Sequence, residues 1–300
     1  MPIFRSCAKV NLHLEVVGRR PDGFHELRTI FRTIELADEI EIERTGSGVE
    51  LEVAGADLPP GPTNLAHRAA GIFLERWGAT GDGVRMRLTK RIPAGGGLGG
   101  GSANAATVLL ALCSLWRIRP PYAELGSAAR ALGADVPFFL VGGTALGFGR
   151  GDEIVPLPDA GVPEMELWLA LPPFGTPTGE IFAALGDRYR TESSPLLLEA
   201  EIGALPTRDR GWVGENDLEA PAFRLRPELE AIYTSLLGAG AAAVRMSGSG
   251  STLFALFDEP SAARAAGAGL PSGTAWLRTR ALSRAEWRRA SGFDALEGGA

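Results

Sequence analysis

The chain is 300 residues long, 45% hydrophobic and 22% charged, with a formal net charge of −6 and a sequence pI near 5.3. This is the profile of a folded chain of about two domains, and its acidity argues against nucleic acid or an anionic membrane as the main partner. No apolar run reaches membrane-spanning length, Arg5 and Lys9 interrupt any signal-peptide core, and Cys7 and Cys113 are too few for a disulfide framework, so a cytoplasmic protein without structural zinc is expected.

From the N-terminus, Ala8–Val16 alternates strictly and predicts a strand with Val10, Leu12, Leu14 and Val16 on the core. Lys9, Asn11 and His13 then share the opposite face. The turn Gly18-Arg19-Arg20-Pro21-Asp22-Gly23 brings Phe24 and His25 back towards them. Lysine is scarce in this chain: of 30 basic residues only Lys9 and Lys90 are Lys. An ammonium retained against that bias suits a place where a compact, rotatable cation matters. Two readings stand here, the solvated face of an edge hairpin or an amine and an amide held over a pocket.

Val84–Lys90 alternates as a half-solvated strand does and runs into Pro93-Ala-Gly-Gly-Gly-Leu-Gly-Gly-Gly-Ser102, with six glycines between Gly95 and Gly101. Leu109, Leu110, Leu112 and Leu115 continue as a helix. A glycine-rich loop opening a helix turns successive N–H groups and the positive end of the helix dipole on one spot, which makes a seat for phosphate. Ser102 and Asn104, at the helix start, are expected to face that anion. Gly95, Gly97 and Gly100 satisfy G-x-G-x-x-G, but the preceding strand is not the continuously apolar one of a dinucleotide fold, and no acidic residue follows at the right distance. The P-loop reading fails because Ser102 stands where that loop requires Lys.

Next, Asp135 lies among apolar residues in Leu132–Leu140 and reads as the N-cap of a short helix with Pro137 in its first turn, a place that need not exclude a part in catalysis. Gly142–Ala145 reads as a turn into a strand. Pro156, Pro158, Gly161 and Pro163 mark a connection, and Glu166–Leu171 opens a second set of elements. Helical patterns are expected over 194–238 and near 260–269. Between them, Arg245–Phe254 reads as a tight turn joining two strands. The segment 284–300 carries no motif and is expected as a fraying tail.

In order, A-K-V-N-L, G-F-H-E-L, the loop through Ala106, G-A-D-V-P-F-F and S-G-S-G-S-T-L-F resemble the GHMP small-molecule kinase superfamily. The likeness extends over about residues 3–280 and includes Glu215-Asn216-Asp217-Leu218. It implies an α+β two-domain fold, with a ribosomal S5 domain 2-like N-terminal domain (1–160), a ferredoxin-like C-terminal domain (161–283) and a tail (284–300). The active site would lie in the cleft between the domains. It also implies ATP and Mg²⁺. Phosphates would lie on Gly95, Gly96, Gly97, Leu98, Gly99, Gly100, Gly101 and Ser102, with Pro93 ahead of them and Ser102 near the metal. Asn64 and Lys90 would line the adenosine pocket. Asp135 would act as base, with Lys9 holding it ionised and offsetting charge on the phosphoryl group.

Within the superfamily the chain resembles the branch that phosphorylates the 2-hydroxyl of a cytidine diphosphate-linked methylerythritol for isoprenoid precursor synthesis. The implied partner is therefore a small molecule carrying a cytidine diphosphate group, and the implied state a monomer or weak homodimer. Phe24 and Phe182 would sandwich the cytosine, with Thr178 one helical turn before Phe182. His25 would read the base edge and Asn11 would sit near the transferred group. Phe24 replaces the Tyr common in the family, which keeps stacking and loses a hydroxyl. Asp152 stands where Glu is common, with no role assigned. A sibling acting on homoserine, mevalonate or a sugar would have little use for an aromatic sandwich beside a His.

Overall fold

The computed structural model describes residues 1–159, 164–190, 192, 194, 197 and 213–293. Two sheets form its centre, each covered on its outer face by helices. The first is built from β1 (Ile3–Arg19), β2 (His25–Thr45), β3 (Gly48–Ala54), β4 (Gly83–Thr89), β5 (Thr144–Phe148) and β6 (Glu153–Pro156). Long β2 organises it. One edge pairs with β1 from Arg19 back to Ile3, while the other pairs with β5 through Thr29–Arg32 and with β4 through Glu39–Thr45. In β4 the alternation of the sequence holds: Val84, Met86 and Leu88 are buried, and Arg85 and Arg87 point out to Glu50 and Glu52 of β3.

Helices α1 (Leu65–Trp77), α2 (Gly100–Trp116), α3 (Tyr122–Leu132) and α4 (Val136–Phe139) cover this sheet. Helix α2 is buried without a break from Ala103 to Cys113. That enclosure accounts for its small and apolar residues, since a helix packed on every side has no polar face to present. Cys7 and Cys113 are both free and buried.

The second sheet comprises β7 (Glu166–Leu171), β8 (Ala243–Met246), β9 (Leu253–Leu256) and β10 (Ala275–Arg280) in the order β10-β7-β9-β8, antiparallel throughout. With α5 (Thr178–Leu185), α6 (Glu219–Leu225), α7 (Pro227–Gly238) and α8 (Pro260–Ala266) between strands, this is the ferredoxin-like arrangement. Its two central strands, β7 and β9, are apolar on both sides because both are covered. Phe254 and Leu256 meet Val10, Leu12, Ile30 and Ile34 of the first sheet, whereas Leu253 and Ala255 meet Ile181, Leu229, Ile232 and Leu236 on the helices. The inter-sheet core therefore fastens β1 to both halves of the molecule.

Residues 284–293 depart from the expected tail. Ser283 and Glu286 form a capping box that starts α9 (Arg284–Ser291), and Trp287 and Phe293 are buried in the core of the first sheet, with Phe293 stacked 5.8 Å from Phe4. A chain end with two buried aromatics is part of the N-terminal half's packing. Gly161, Pro163, the stretch 198–212 and the last residues, 294–300, lie outside the described residues. Among the described residues, no helix is long and apolar enough to cross a membrane.

Candidate active site

The glycine loop leaves β4 and enters α2 at Gly99, an N-cap with φ 70° and no side-chain cap bond, so the first-turn N–H groups have no capping side chain. A second loop holds it in place. Ser247 Oγ donates to Gly97 O at 2.8 Å and Thr252 N to Gly96 O at 3.1 Å. Gly97 has φ +75°, and a Cβ there would sit 2.0 Å from Ser247 O, so this contact requires glycine. Asn216 anchors the second loop in turn. Its Nδ2 donates to Met246 O and Gly248 O, both at 2.8 Å, while its Oδ1 accepts from Leu218 N. The sole non-glycine, Leu98, buries its side chain in the inter-sheet core.

The loop forms a wall between two cavities of about 360 and 800 Å³, and Gly95, Gly97 and Gly99 line both. The sequence-predicted residues divide across that wall. Asn64, Lys90, Pro93 and Gly95 through Ser102 line the smaller cavity. Lys9, Asn11, Phe24, His25, Asp135, Thr178 and Phe182 line the larger one.

Lys9 lies at the junction, buried to 3% exposure. Its Nζ donates to Asn11 Oδ1 at 2.6 Å and Gly97 O at 2.9 Å and lies 3.5 Å from Asp135 Oδ2. Asp135 precedes α4 with helical dihedrals (φ −79°, ψ −15°), and its carboxylate makes no cap bond. That carboxylate, 34% exposed, faces the cleft beside the ammonium.

His13 does not join Lys9 and Asn11 on one face. A β-bulge between Asn11 and His13 shifts the register. The ring leaves the cleft: Nδ1 accepts Glu215 N at 2.9 Å, so the proton is on Nε2, 3.1 Å from Glu15 Oε1. Burial pushes the His13 pKa down despite that carboxylate.

Lys90 lines the smaller cavity with its ammonium already engaged. It is paired with fully buried Asp38 and donates to Asn104 Oδ1 at 3.2 Å. Asp38 also accepts the N–H groups of Arg91 and Ile92 at 2.7 and 2.8 Å, which sets the path into the glycine loop. Asn104 is a correction to the sequence reading. It turns from the anion seat into this network, donating to Ser6 Oγ and Asp38 Oδ2. Asp38 was missed because it is one of four acids in Ile34–Ile42, and no spacing sets it apart from Glu35, Glu39 and Glu41. Asn64 caps α1, accepting Ala66 N at 3.0 Å and donating to Pro59 O.

In the larger cavity His25 stacks on Phe182 with ring centroids 4.7 Å apart, and Tyr189 tilts against it at 6.1 Å. Burial and then the charge of Arg19 lower the His25 pKa. Phe24 is 53% exposed, with the Arg150 guanidinium 4.9 Å over its ring. Asp152 accepts from Arg150 Nη2 at 2.8 Å, so the residue left without a role orients this arginine. Thr178 Oγ1 lies 2.9 Å from Ser249 Oγ, joining α5 to the second loop. Arg150 and Tyr189 were not foreseen: Arg150 is a variable position of the run Gly147-x-Gly149-x-Gly151, and Tyr189 lies outside any patterned segment.

Comparison with known proteins gives concordant matches. The model of the GHMP kinases N terminal domain matches residues 64–143, and that of the GHMP kinases C terminal domain matches 202–272. The 4-diphosphocytidyl-2-C-methyl-D-erythritol kinase of Solibacter usitatus is 44% identical over 95% of this chain and 92% of its own length. Its Thermus thermophilus counterpart is 43% identical over 91% and 94%. A crystal structure of 4-(cytidine 5′-diphospho)-2C-methyl-D-erythritol kinase superposes with a TM-score of 0.77 at 39% identity, covering 93% of this chain and 99% of that one. A homoserine kinase from Cytophaga hutchinsonii shares the fold, with a TM-score of 0.67 at 20% identity over 94% of each chain.

Proposed function

This chain belongs to the 4-diphosphocytidyl-2-C-methyl-D-erythritol kinase family of the GHMP kinases, and from that footing we propose that it phosphorylates the 2-hydroxyl of 4-diphosphocytidyl-2-C-methyl-D-erythritol. It is an ATP-dependent kinase. One observation carries the reading of its residues. The phosphate-seating loop is the wall shared by two cavities, and a lysine–carboxylate pair stands at that wall on the acceptor side.

On the nucleotide side, backbone N–H groups of the loop and of the first turn of α2 receive the phosphates, with the helix dipole adding positive potential. Asn64, Lys90 and Pro93 line the adenosine end. The residues present fit Mg²⁺ carried on the nucleotide. Ser102 offers a hydroxyl beside the phosphate seat, and among the described residues no cluster of His, Cys, Asp or Glu forms a metal cage of its own. Ser102 would hold the ion together with the nucleotide, and the chemistry it would supply there is neutralisation of phosphate charge.

On the acceptor side, Asp135 takes the proton of the attacking hydroxyl. Lys9 offsets the negative charge that gathers on the transferring group, and Asn11 and the Gly97 carbonyl hold its ammonium in place. A loose phosphoryl transition state asks for positioning and charge rather than covalent help. Phe24 and Phe182 take the faces of the cytosine, with His25 leaving its stack on Phe182 to meet the base edge. Thr178 and Asn11 line the path between base and reacting hydroxyl.

The test is ADP release with Mg²⁺-ATP and each acceptor in turn. Turnover is expected with the cytidine diphosphate methylerythritol and not with homoserine or mevalonate. Asp135→Asn is expected to lower kcat by about 10²- to 10⁴-fold, the scale of a general base. A full-rate Asp135→Asn enzyme sinks the base assignment, and turnover with homoserine alone sinks the cytosine pocket.

A further inference from the structure

Thr29 of β2 is 1% exposed and stands in register with Leu14 of β1 on one side and Gly147 of β5 on the other. Its methyl lies towards Gly147, where an added Cβ would approach it to 3.0 Å. Its hydroxyl turns towards β1 and donates its single proton to His13 O at 2.6 Å. The remaining lone pairs of Thr29 Oγ1 accept Asn11 Nδ2 at 2.8 Å.

These bonds settle which way the Asn11 amide faces. Its nitrogen goes to Thr29 and its oxygen to the Lys9 ammonium at 2.6 Å, the shorter of the two hydrogen bonds that Lys9 Nζ donates. An ammonium has donors only, so a flipped amide would present N–H to N–H. The bulge between Asn11 and His13 turns the His13 side chain out of the cleft, while the His13 carbonyl takes the Thr29 proton.

We propose that Thr29 is a positioning residue for phosphoryl transfer: through Asn11 it holds the Lys9 ammonium between Gly97 O and Asp135. It does not touch the reacting atoms. The proposal rests on the reading of Lys9 and Asp135 as the catalytic pair. Removing the hydroxyl leaves a buried Asn11 N–H without its acceptor, and the amide then turns to find another. Lys9 loses the partner that aims it.

The chain makes this directly observable, because Lys9 and Lys90 are its only lysines. Labelling lysine with ¹⁵N yields two ammonium signals. Lys90, buried beside Asp38 and Asn104, serves as the internal reference. The experiment compares Thr29→Val and Thr29→Ser with the parent chain, reading both signals and steady-state kinetics, with Asp135→Asn alongside. Thr29→Val is expected to move or broaden the Lys9 signal and leave Lys90 in place. It should lower kcat about 10- to 100-fold, as sub-ångström to ångström misplacement does, with KM for ATP within about twofold. Thr29→Ser restores both.

An unchanged Lys9 signal with parental kcat in Thr29→Val overturns the relay, as do equal shifts of both lysines or a failure of Thr29→Ser to restore. Thr29→Ala removes the same hydroxyl without setting a methyl against His13 O and carries the same expectation, which keeps the test decisive if the valine variant folds poorly. Because the signals report geometry without turnover, the two readings are judged apart. A moved Lys9 signal with full activity in Asp135→Asn overturns the base reading, and an unmoved one with activity lost in Asp135→Asn overturns only the relay.

Discussion

Replacing Gly97 with Ala tests whether the close meeting of the two loops builds the phosphate seat. The backbone there has φ +75°, which costs an alanine about 1–2 kcal/mol. The new Cβ would lie 2.0 Å from Ser247 O and 3.0 Å from Gly250 O, so one side must retreat by more than about 1 Å to reach ordinary carbon–oxygen contact. Ser247 is poorly placed to yield. Its N–H is bonded to Thr252 O at 2.9 Å, and Asn216 grips the carbonyls on either side of it. The glycine loop gives way instead, and the N–H groups proposed to receive the phosphates move with it. Overpacking and backbone strain together predict a loss of about 2–4 kcal/mol and a Tm lower by about 3–6 °C. Displacement of the donors by about 1 Å predicts a fall of about 10²-fold in kcat/KM for ATP. A coupled ADP assay and a thermal melt read both quantities. Gly71→Ala, inside α1 with open space at its Cβ, is the control and should melt at or slightly above the parent. Gly97→Ala with kcat/KM within about threefold of the parent and an unchanged Tm refutes the reasoning, because 1 Å of forced displacement cannot be silent in both.

Phe182→Ala removes a stacking face and should lower kcat/KM for the cytidine acceptor about 10- to 100-fold while leaving KM for ATP unchanged; equal losses for both substrates count against the assignment. Asp38→Asn leaves Lys90 buried without its counter-charge and should cost about 3–5 kcal/mol in denaturant unfolding, with a result below about 1 kcal/mol ruling out the staple at the loop entrance. Glu219, which accepts Met246 N at 2.8 Å, is raised to about 7 chiefly by burial. Between its unfolded value and 7 the folded chain keeps a proton that the unfolded chain has released, so stability falls as pH rises through that window. The Tm of the parent relative to Glu219→Gln should therefore decline from pH 5 to pH 8, and a flat difference argues against the raised carboxyl.

Local pattern settled much of this protein before any contact was known. The alternation of Val84–Lys90 requires a strand with one wet face, six glycines before an apolar run require a loop opening a helix, and β7 falls on the predicted Glu166–Leu171. Each is decided by dihedral freedom or side-chain period within a few residues, and the order of such motifs sufficed to reveal the family. What only the tertiary structure decided is where polar side chains find partners. Alternation placed His13 beside Lys9 and Asn11, but a bulge, set by pairing with β2, sent it to Glu15 and Glu215. Asp135 was expected to cap α4, but with helical dihedrals its carboxylate makes no cap bond and lies beside a lysine from β1. Asp38, Arg150 and the helix from Arg284 went unread, and Asn104 was misplaced, for the same reason. A buried charge or an aromatic at a chain end is tolerated only when a distant segment supplies its counter-charge, donors or apolar cover, and that meeting exists only once the chain has folded.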